Sequence, residues 1–336
     1  MPHRWSSHHR RLHRHLLQRP GLLPAGAPLL LAVSGGQDSM ALTALLADLR
    51  HLHGWSLQLW HGDHGWRPES AMQAAGLAAW AAAEALPLHQ ERADPPPAGE
   101  AEARRWRYSC LERCAAALGC RHVVSGHTGS DRAETVLLNL ARGCHLEGLC
   151  SLRAQRSLAG GAVLVRPLLP FSRGDTAHIC RELTLPVWID ASNDEDRYAR
   201  NRVRAEVLPV LEALHPGADR RIAAGAERLE QEVDAQQELL SLALESLRHG
   251  DGKAPAALQR RQLGSLVPAN RRRLLRRWLE RQGAAAPVGD ALETLVRRLQ
   301  PERGPGQQDL AGGWRLRWDR STLTLERPGD PADGDG

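Results

Sequence analysis

At 336 residues, with 44 Lys or Arg against 39 Asp or Glu, the chain carries a formal net charge of +5 and can bury the cores of two domains. A single lysine, Lys253, stands against 43 arginines, which excludes a lysyl-adenylate, a Walker lysine or a Schiff base in the first 250 residues, so chemistry on ATP must be direct attack on phosphorus. The six cysteines (Cys110, Cys114, Cys120, Cys144, Cys150, Cys180) include no C-x-x-C pair, and no signal peptide or apolar run of membrane length is present; a reduced, cytoplasmic setting without a membrane is expected.

The first twenty residues contribute +5, from five Arg with five His and no carboxylate. A transit peptide has this composition, but a basic surface helix ahead of the first strand is the more ordinary reading, set at 1–27. The apolar run Leu29-Leu30-Leu31-Ala32-Val33 then predicts a buried strand, and the periodic segment 40–49 a helix. Between them lies Ser34-Gly35-Gly36-Gln37-Asp38-Ser39. Adjacent glycines let a backbone approach an anion closely, and the first amides of the helix face it, so this turn predicts a phosphate cradle. It lacks the G-K-[ST] ending of a Walker loop. A plain turn with a Ser or Asp helix cap is the alternative these six letters leave open.

Leu57-Gln58-Leu59-Trp60 reads as a second strand, and His61-Gly62-Asp63-His64-Gly65-Trp66-Arg67 as a polar turn after it. An alanine-rich helix over 70–84 and a third strand, Leu88-His89-Gln90, follow. Asp94-Pro95-Pro96-Pro97 breaks the pattern before a long helix over about 100–118. A fourth strand, His122-Val123-Val124-Ser125, precedes a helix over 131–142. Short apolar strands alternating with helices predict an α/β fold, a parallel sheet doubly wound by helices. Ligands bind such sheets beyond the carboxyl ends of the strands. The glycine turn, the 61–67 turn and the His127 loop all fall on that edge.

Val163-Leu164-Val165-Arg166-Pro167-Leu168-Leu169 leads to a helix near 176–183, and the acidic connection 190–196 precedes Arg200-Asn201-Arg202-Val203-Arg204. Pro209 and Pro216-Gly217 mark a boundary, so 28–212 is expected to be the nucleotide-binding domain. A long helix over 213–250 links it to a smaller, mainly helical domain over 251–327. Ten Arg and Lys253 against four acids give residues 251–300 a charge of +7. A helix over 270–282 sets Leu274, Leu275, Trp278 and Leu279 on one side, with Arg272, Arg273, Arg276 and Arg277 crowding the others. Alternation in Trp314-Arg315-Leu316-Arg317-Trp318 and Thr322-Leu323-Thr324-Leu325 predicts a closing hairpin around Asp319-Arg320-Ser321. The Pro-, Asp- and Gly-rich tail, 328–336, is expected to be disordered. Two separate basic regions suggest a polyanionic partner, the alternative being solvated faces in an arginine-rich chain.

Asp131-Arg132-Ala133-Glu134 places two carboxylates on one face of a first helical turn, which is also what a capping box looks like. His61 and His64 could be a metal pair, but no cysteine or third ligand has zinc-like spacing; a loop lining a nucleotide pocket, with His64 in it, is the better reading. Arg104, Arg105, Arg107 and Tyr108 share the long helix, where arginine near a phosphate cradle can offset charge developing on phosphorus; a solvated basic face accounts for the rest. Arg202 and Arg204 divide in the same way.

Together these stretches resemble one family. Ser34-Gly35-Gly36-Gln37-Asp38-Ser39 matches the SGGxDS signature of the PP-loop ATP pyrophosphatases, and within them the chain is similar to the tRNA(Ile)-lysidine synthetase family. Residues 61–67 match H-V-[ND]-H-G-L-R, and 100–108 match E-x-x-A-R-x-x-R-Y. Residues 127–135 match H-H-x-x-D-x-x-E-T, 166–169 match R-P-L-L, and 190–204 match D-x-S-N…R-N-x-[IV]-R. The motifs cover about 28–212. Thr128, Ser130, Arg132, Gly62 and Trp66 depart from them, and the tail is expected to lack a further domain of longer members.

The resemblance implies lysidine formation on the wobble cytidine of a tRNA(Ile) with a CAU anticodon. The base oxygen at C2 attacks the α-phosphorus of ATP, and the amine of free L-lysine then displaces AMP. Ser34 to Ser39 and His64 would bind ATP, with Mg2+ carried by the nucleotide near Asp38 rather than by a protein-only metal site. Asp38 would position that complex, and Arg104 would stabilise charge in adenylation. Asp131 and Glu134 would hold lysine. Arg202, Arg204, Arg272, Arg273 and Arg276 would contact tRNA phosphates. A homodimer is left open. The rival readings are a PP-loop tRNA thiolase, a small-molecule amidating synthetase and a non-catalytic tRNA-binding module.

Overall fold

The computed structural model describes residues 5–66, 69–150, 152–188, 198–249 and 257–327. The acidic connection 190–196, Lys253 and the tail 328–336 lie outside them. The chain divides into two compact units, 1–231 and 232–336. That division falls inside one 30-residue helix, Ala218–Leu247, within the segment read as a linking helix.

The first unit is built on strands β1 (Pro28–Ala32), β2 (Ser56–Asp63), β3 (Leu88–Arg92), β4 (His122–Ser125), β5 (Gln155–Ser157) and β6 (Val163–Val165), in the spatial order β3-β2-β1-β4-β6-β5. Every pairing is parallel except β5 with β6. The short polar edge strand β5 shows no apolar alternation, and the sequence pattern passed over it. Strand β2 also runs farther than its apolar letters suggest: His61, Gly62 and Asp63 continue the ladder opposite Gln90, Glu91 and Arg92 instead of starting a turn.

The two faces follow from the two-residue period of a strand. Leu29, Leu31, Leu59, Val124 and Val165 pack into one core, with helices α1 (Ser7–Gln18) and α2 (Gln37–His53). Leu30, Trp60, Val123 and Leu164 pack into another with Cys110, Leu111 and Ala115 of the helix Glu100–Ala117. Both faces of the sheet are covered, so its central strands are apolar throughout. Helix α2 is buried almost all round, from Ser39 to Leu46 and at Leu49. Its core also takes in Leu12 and Leu16 of α1, and Ile179 and Cys180 of the helix Arg173–Glu182.

That last helix begins three residues earlier than its apolar pattern predicts. Ser172 caps it, accepting from the Asp175 amide at 3.1 Å while Asp175 accepts from the Ser172 amide at 2.8 Å.

The second unit holds a five-stranded antiparallel sheet; the closing hairpin, Arg315–Trp318 with Thr322–Glu326, forms part of it. Leu274, Leu275, Trp278 and Leu279, on the helix Pro268–Arg281, are all buried in the core of this unit. Arg260 is fully buried there too. Its guanidinium donates to the carbonyls of Leu299 (3.2 Å), Gln300 (2.7 Å), Asp319 (2.5 Å) and Arg303 (2.5 Å). One charge in the +7 segment is therefore structural and faces no partner.

Candidate active site

The strand order locates the site. From β1 the chain winds outward through β2 to β3, then returns to β4 on the other side of β1. The crevice at the carboxyl ends of β1 and β4 is the switch point where such sheets bind ligands. The glycine turn leaves β1 there, and the His127 loop leaves β4 beside it. They touch: a Cβ on Gly126 would lie 2.9 Å from the Asp38 carbonyl and the Ser39 nitrogen.

Gly35 has φ +83°, which favours glycine, and its carbonyl accepts from the Trp188 amide at 3.0 Å. A Cβ there would meet the Trp188 ring at 3.2 Å. Gly36 is the N-cap of α2 and makes no side-chain cap. The amides of the first turn, Gln37, Asp38 and Ser39, have no acceptor within the helix, and a helix start of this kind suits an anion. Ser34 Oγ accepts from the Gly36 amide at 3.3 Å and lies 3.2 Å from Ser39 Oγ.

Asp38 is held by the neighbouring helix. Thr176 Oγ1 donates to one carboxylate oxygen at 2.5 Å, and Arg173 Nη1 to the other at 3.4 Å. Gln37 Nε2 reaches the Arg173 carbonyl and Thr176 Oγ1, each at 2.8 Å. Burial raises the Asp38 carboxyl above its ordinary value; the Thr176 bond opposes this and the charge of Asp131 adds to it. A carboxylate kept uncomfortable by burial and a second acid fits a cation carried in with the nucleotide.

The second carboxylate group sits on the helix Gly129–Ala141. Thr128 caps it, and Asp131 Oδ2 accepts from the Thr128 amide at 2.8 Å and hydroxyl at 2.9 Å. The capping-box reading and the acid-pair reading of this turn hold together. Glu134 is almost fully buried and accepts from Arg200 Nε at 2.8 Å and from Arg204 at 2.7 and 2.9 Å. Asp131 lies 3.4 Å from Arg200 Nη2 and 3.8 Å from Arg204 Nη2. Burial pushes Asp131 up, but His127, Arg200 and the Thr128 bonds outweigh it and leave the carboxyl below its ordinary range. Burial is also the main reason that His127 titrates well below 6.5, with Asp131 opposing and Arg166, Arg200 and Arg104 reinforcing. His127 is thus neutral at pH 7, its Nδ1 3.0 Å from Ser125 Oγ.

Arg104 is exposed, its guanidinium 5.2 Å from the centre of the Tyr108 ring, to which Arg156 also comes within 4.8 Å. His64 Nε2 lies 3.3 Å from Arg107 Nη2, with its ring against Trp66 and Trp106. His61 points elsewhere: it is buried, with Nδ1 2.8 Å from the Val33 carbonyl. Among the arginines read as tRNA contacts, Arg202 pairs with Glu206, Arg272 with Glu293, and Arg276 with Glu280; Arg273 donates to Gln236. Arg204 differs, since it is turned onto Glu134.

The departures from the motif have structural reasons. Ser130 donates to Asp219 at 3.0 Å and accepts from the Arg173 amide at 3.0 Å. Arg132, buried, donates to the Leu152 carbonyl and to Glu230. Gly62 makes room for tryptophans: a Cβ there would come 2.3 Å from the Trp60 ring and 3.0 Å from Trp106. Four residues of this site carried no assigned role in the sequence reading. Arg200 was visible as the first arginine of R-N-x-V-R; Trp188, Arg173 and Thr176 gave no local signal.

Residues 7–211 match the PP-loop domain family, and residues 258–324 match the TilS substrate-binding domain. A tRNA(Ile)-lysidine synthase of Parasynechococcus marenigrum is 54% identical over 329 residues, 96% of each chain. The chain belongs to the tRNA(Ile)-lysidine synthase family. A second member, from Prochlorococcus marinus, is 41% identical, again over 96% of each chain. Among solved structures, the U34-tRNA thiolase NcsA of Methanococcus maripaludis, with its [4Fe-4S] cluster, superposes with a TM-score of 0.57 at 16% identity, covering 66% of this chain and 78% of that one. That likeness is one of fold. The family assignment fits the crevice, where an anion cradle, a held carboxylate and a paired-acid site meet.

Proposed function

We propose that the chain ligates free L-lysine to C2 of the wobble cytidine of a CAU-anticodon tRNA(Ile), releasing AMP and pyrophosphate. Membership of a family of ATP-using ligases supports the reaction class. The observation that carries the residue assignment is the meeting of the glycine turn and the acid pair at one switch point.

The α2 amides and the Ser34 and Ser39 hydroxyls receive the departing pyrophosphate. Asp38 would hold the Mg2+ that accompanies ATP, an ion that would neutralise charge on the phosphates. Arg104, exposed and free to swing from Tyr108, stabilises negative charge as adenylation proceeds. Asp131 and Glu134 bind the lysine ammonium. The guanidiniums of Arg200 and Arg204 now stand where the lysine ammonium would bind, so lysine enters by taking the place of Arg204 on Glu134. Its amine must shed a proton before attack. Arg202, Arg272 and Arg276 pair with the exposed acids Glu206, Glu293 and Glu280, and Arg273 with the amide of Gln236, contacts weak enough to exchange for tRNA phosphates. Domains follow as 28–212 for catalysis and 251–327 for tRNA contact.

The buried thiols speak against the thiolase reading. Burial raises Cys110, Cys114 and Cys120 above their ordinary value, the opposite of an activated thiolate. Incorporation of labelled lysine into tRNA(Ile) transcripts with a CAU anticodon tests the proposal, with a CAU-bearing methionine tRNA as control. Transfer to the isoleucine transcript alone is expected; transfer to neither, with ATP still cleaved, would move the chain to another PP-loop chemistry.

A further inference from the structure

Away from the crevice, α1 and the helix Arg173–Glu182 bring three metal-ligating side chains together. His8 comes from the first turn of α1; His178 and Glu182 lie one turn apart on the other helix. One ligand atom from each lies within 4.8 Å of the other two, and His178 Nε2 is 3.9 Å from Glu182 Oε2. The His8 and His178 rings are 5.3 Å apart, and the Phe171 ring lies 6.3 Å from His8.

We propose that His8, His178 and Glu182 bind one divalent first-row transition-metal ion, joining α1 to the helix that holds Asp38. The donor set is two imidazole nitrogens and one carboxylate oxygen, which suits Zn2+, Co2+ or Ni2+ and not Mg2+. Metal–ligand bonds of about 2.1 Å in a tetrahedron put ligand atoms about 3.4 Å apart, so a central ion draws these three inward by roughly 1 Å, within reach of side-chain rotation. Water completes the shell on the exposed side.

The nearest cations are tied to an acid. Arg11, on the next turn of α1, pairs with Asp175 and lies over the Phe171 ring at 4.5 Å. Arg220 takes the other Asp175 oxygen at 3.0 Å. The two share one negative charge, so a single unit of positive charge remains there, against the carboxylate that Glu182 supplies to the cluster. His8 is half-buried, whereas His178 and Glu182, on the helix Arg173–Glu182, are exposed. The same helix presents Arg173 and Thr176 to Asp38, so an ion on its outer face steadies the carboxylate holder without touching the crevice.

The test uses the full chain, stripped with chelator and titrated with Co2+ while visible absorption is followed, then with Zn2+ in competition. Binding of one Co2+ per chain, displaced by Zn2+ but not by excess Mg2+, is expected. His178→Gln and Glu182→Gln, both at exposed positions, should each weaken Co2+ binding by at least about tenfold. Saturating Zn2+ should raise the melting temperature of the wild type by on the order of 5 °C and leave the variants unmoved. Equal Co2+ affinity in wild type and both variants, or no stoichiometric binding to the wild type, overturns the site.

Discussion

Asp38 concentrates the tension of the crevice in one side chain. Its carboxyl is raised by burial and by the charge of Asp131, so as a free anion it costs the fold energy. Asp38→Asn should therefore cut ATP-dependent pyrophosphate release by about 10²–10³-fold while the melting temperature holds or rises. A parallel loss of both would instead mark the residue as structural. Buried histidine makes stability depend on pH on the acid side. Burial lowers His15 from 6.5 to about 4, with Arg19 adding to the effect and Glu227 opposing it. A group whose folded value lies below its unfolded one favours the folded state while neutral, so its contribution is full above pH 6.5 and is lost as pH falls toward 4. Unfolding free energy should decline across that window by up to about 1 kcal/mol per pH unit for His15 alone, and His127 acts in the same direction. Denaturant titrations of His15→Gln between pH 7 and 4 should show a shallower decline than the wild type; identical slopes would remove His15 from the account.

At the level of elements, the extension of β2 shows how one glycine and three aromatic rings replace an aliphatic loop. Gly62 lies under Trp60 and Trp106, and Trp66 anchors the following turn by donating to the Pro97 carbonyl at 2.7 Å. Gly62→Val drives a Cβ into the Trp60 ring and should destabilise the chain by about 2 kcal/mol. Adding Trp60→Leu empties the space that the new side chain needs, so the double variant should recover part of that loss in urea unfolding. Additive losses would show that the two positions do not share the space. The helix Arg173–Glu182 has a comparable double role, with Ile179 and Cys180 in the core and Arg173 and Thr176 on Asp38. Core and site are tied along one helix.

For the molecule as a whole, charge is sorted by burial. Arg260, Arg132 and Arg166 are buried and serve carbonyls or an acid in the interior. Arg272 and Arg276 pair with the exposed acids Glu293 and Glu280, the surface setting that the proposed tRNA contact requires. Arg272→Gln with Arg276→Gln should weaken tRNA binding at low salt and reduce the salt-dependence slope by about 1–2, leaving ATP binding unchanged. Arg260→Ala should behave differently, costing about 3 kcal/mol or more of stability through orphaned carbonyls. Reversing that ranking in filter binding and thermal melts would overturn the sorting.

Local pattern carried the α/β architecture, the glycine turn into a helix, the acid pair and the two basic regions, because strand alternation, helix periodicity and glycine requirements act over a few residues. The same letters carried the family motifs. Packing between distant segments settled the rest. Trp188 meets Gly35, and Thr176 meets Asp38, across more than a hundred residues of chain. Arg204, grouped with the tRNA contacts by its charge, lies on Glu134, and Arg260, counted in a basic segment, lies in a core. An arginine reads alike on a surface, on a buried acid or among carbonyls; only the tertiary fold decides which environment desolvates it.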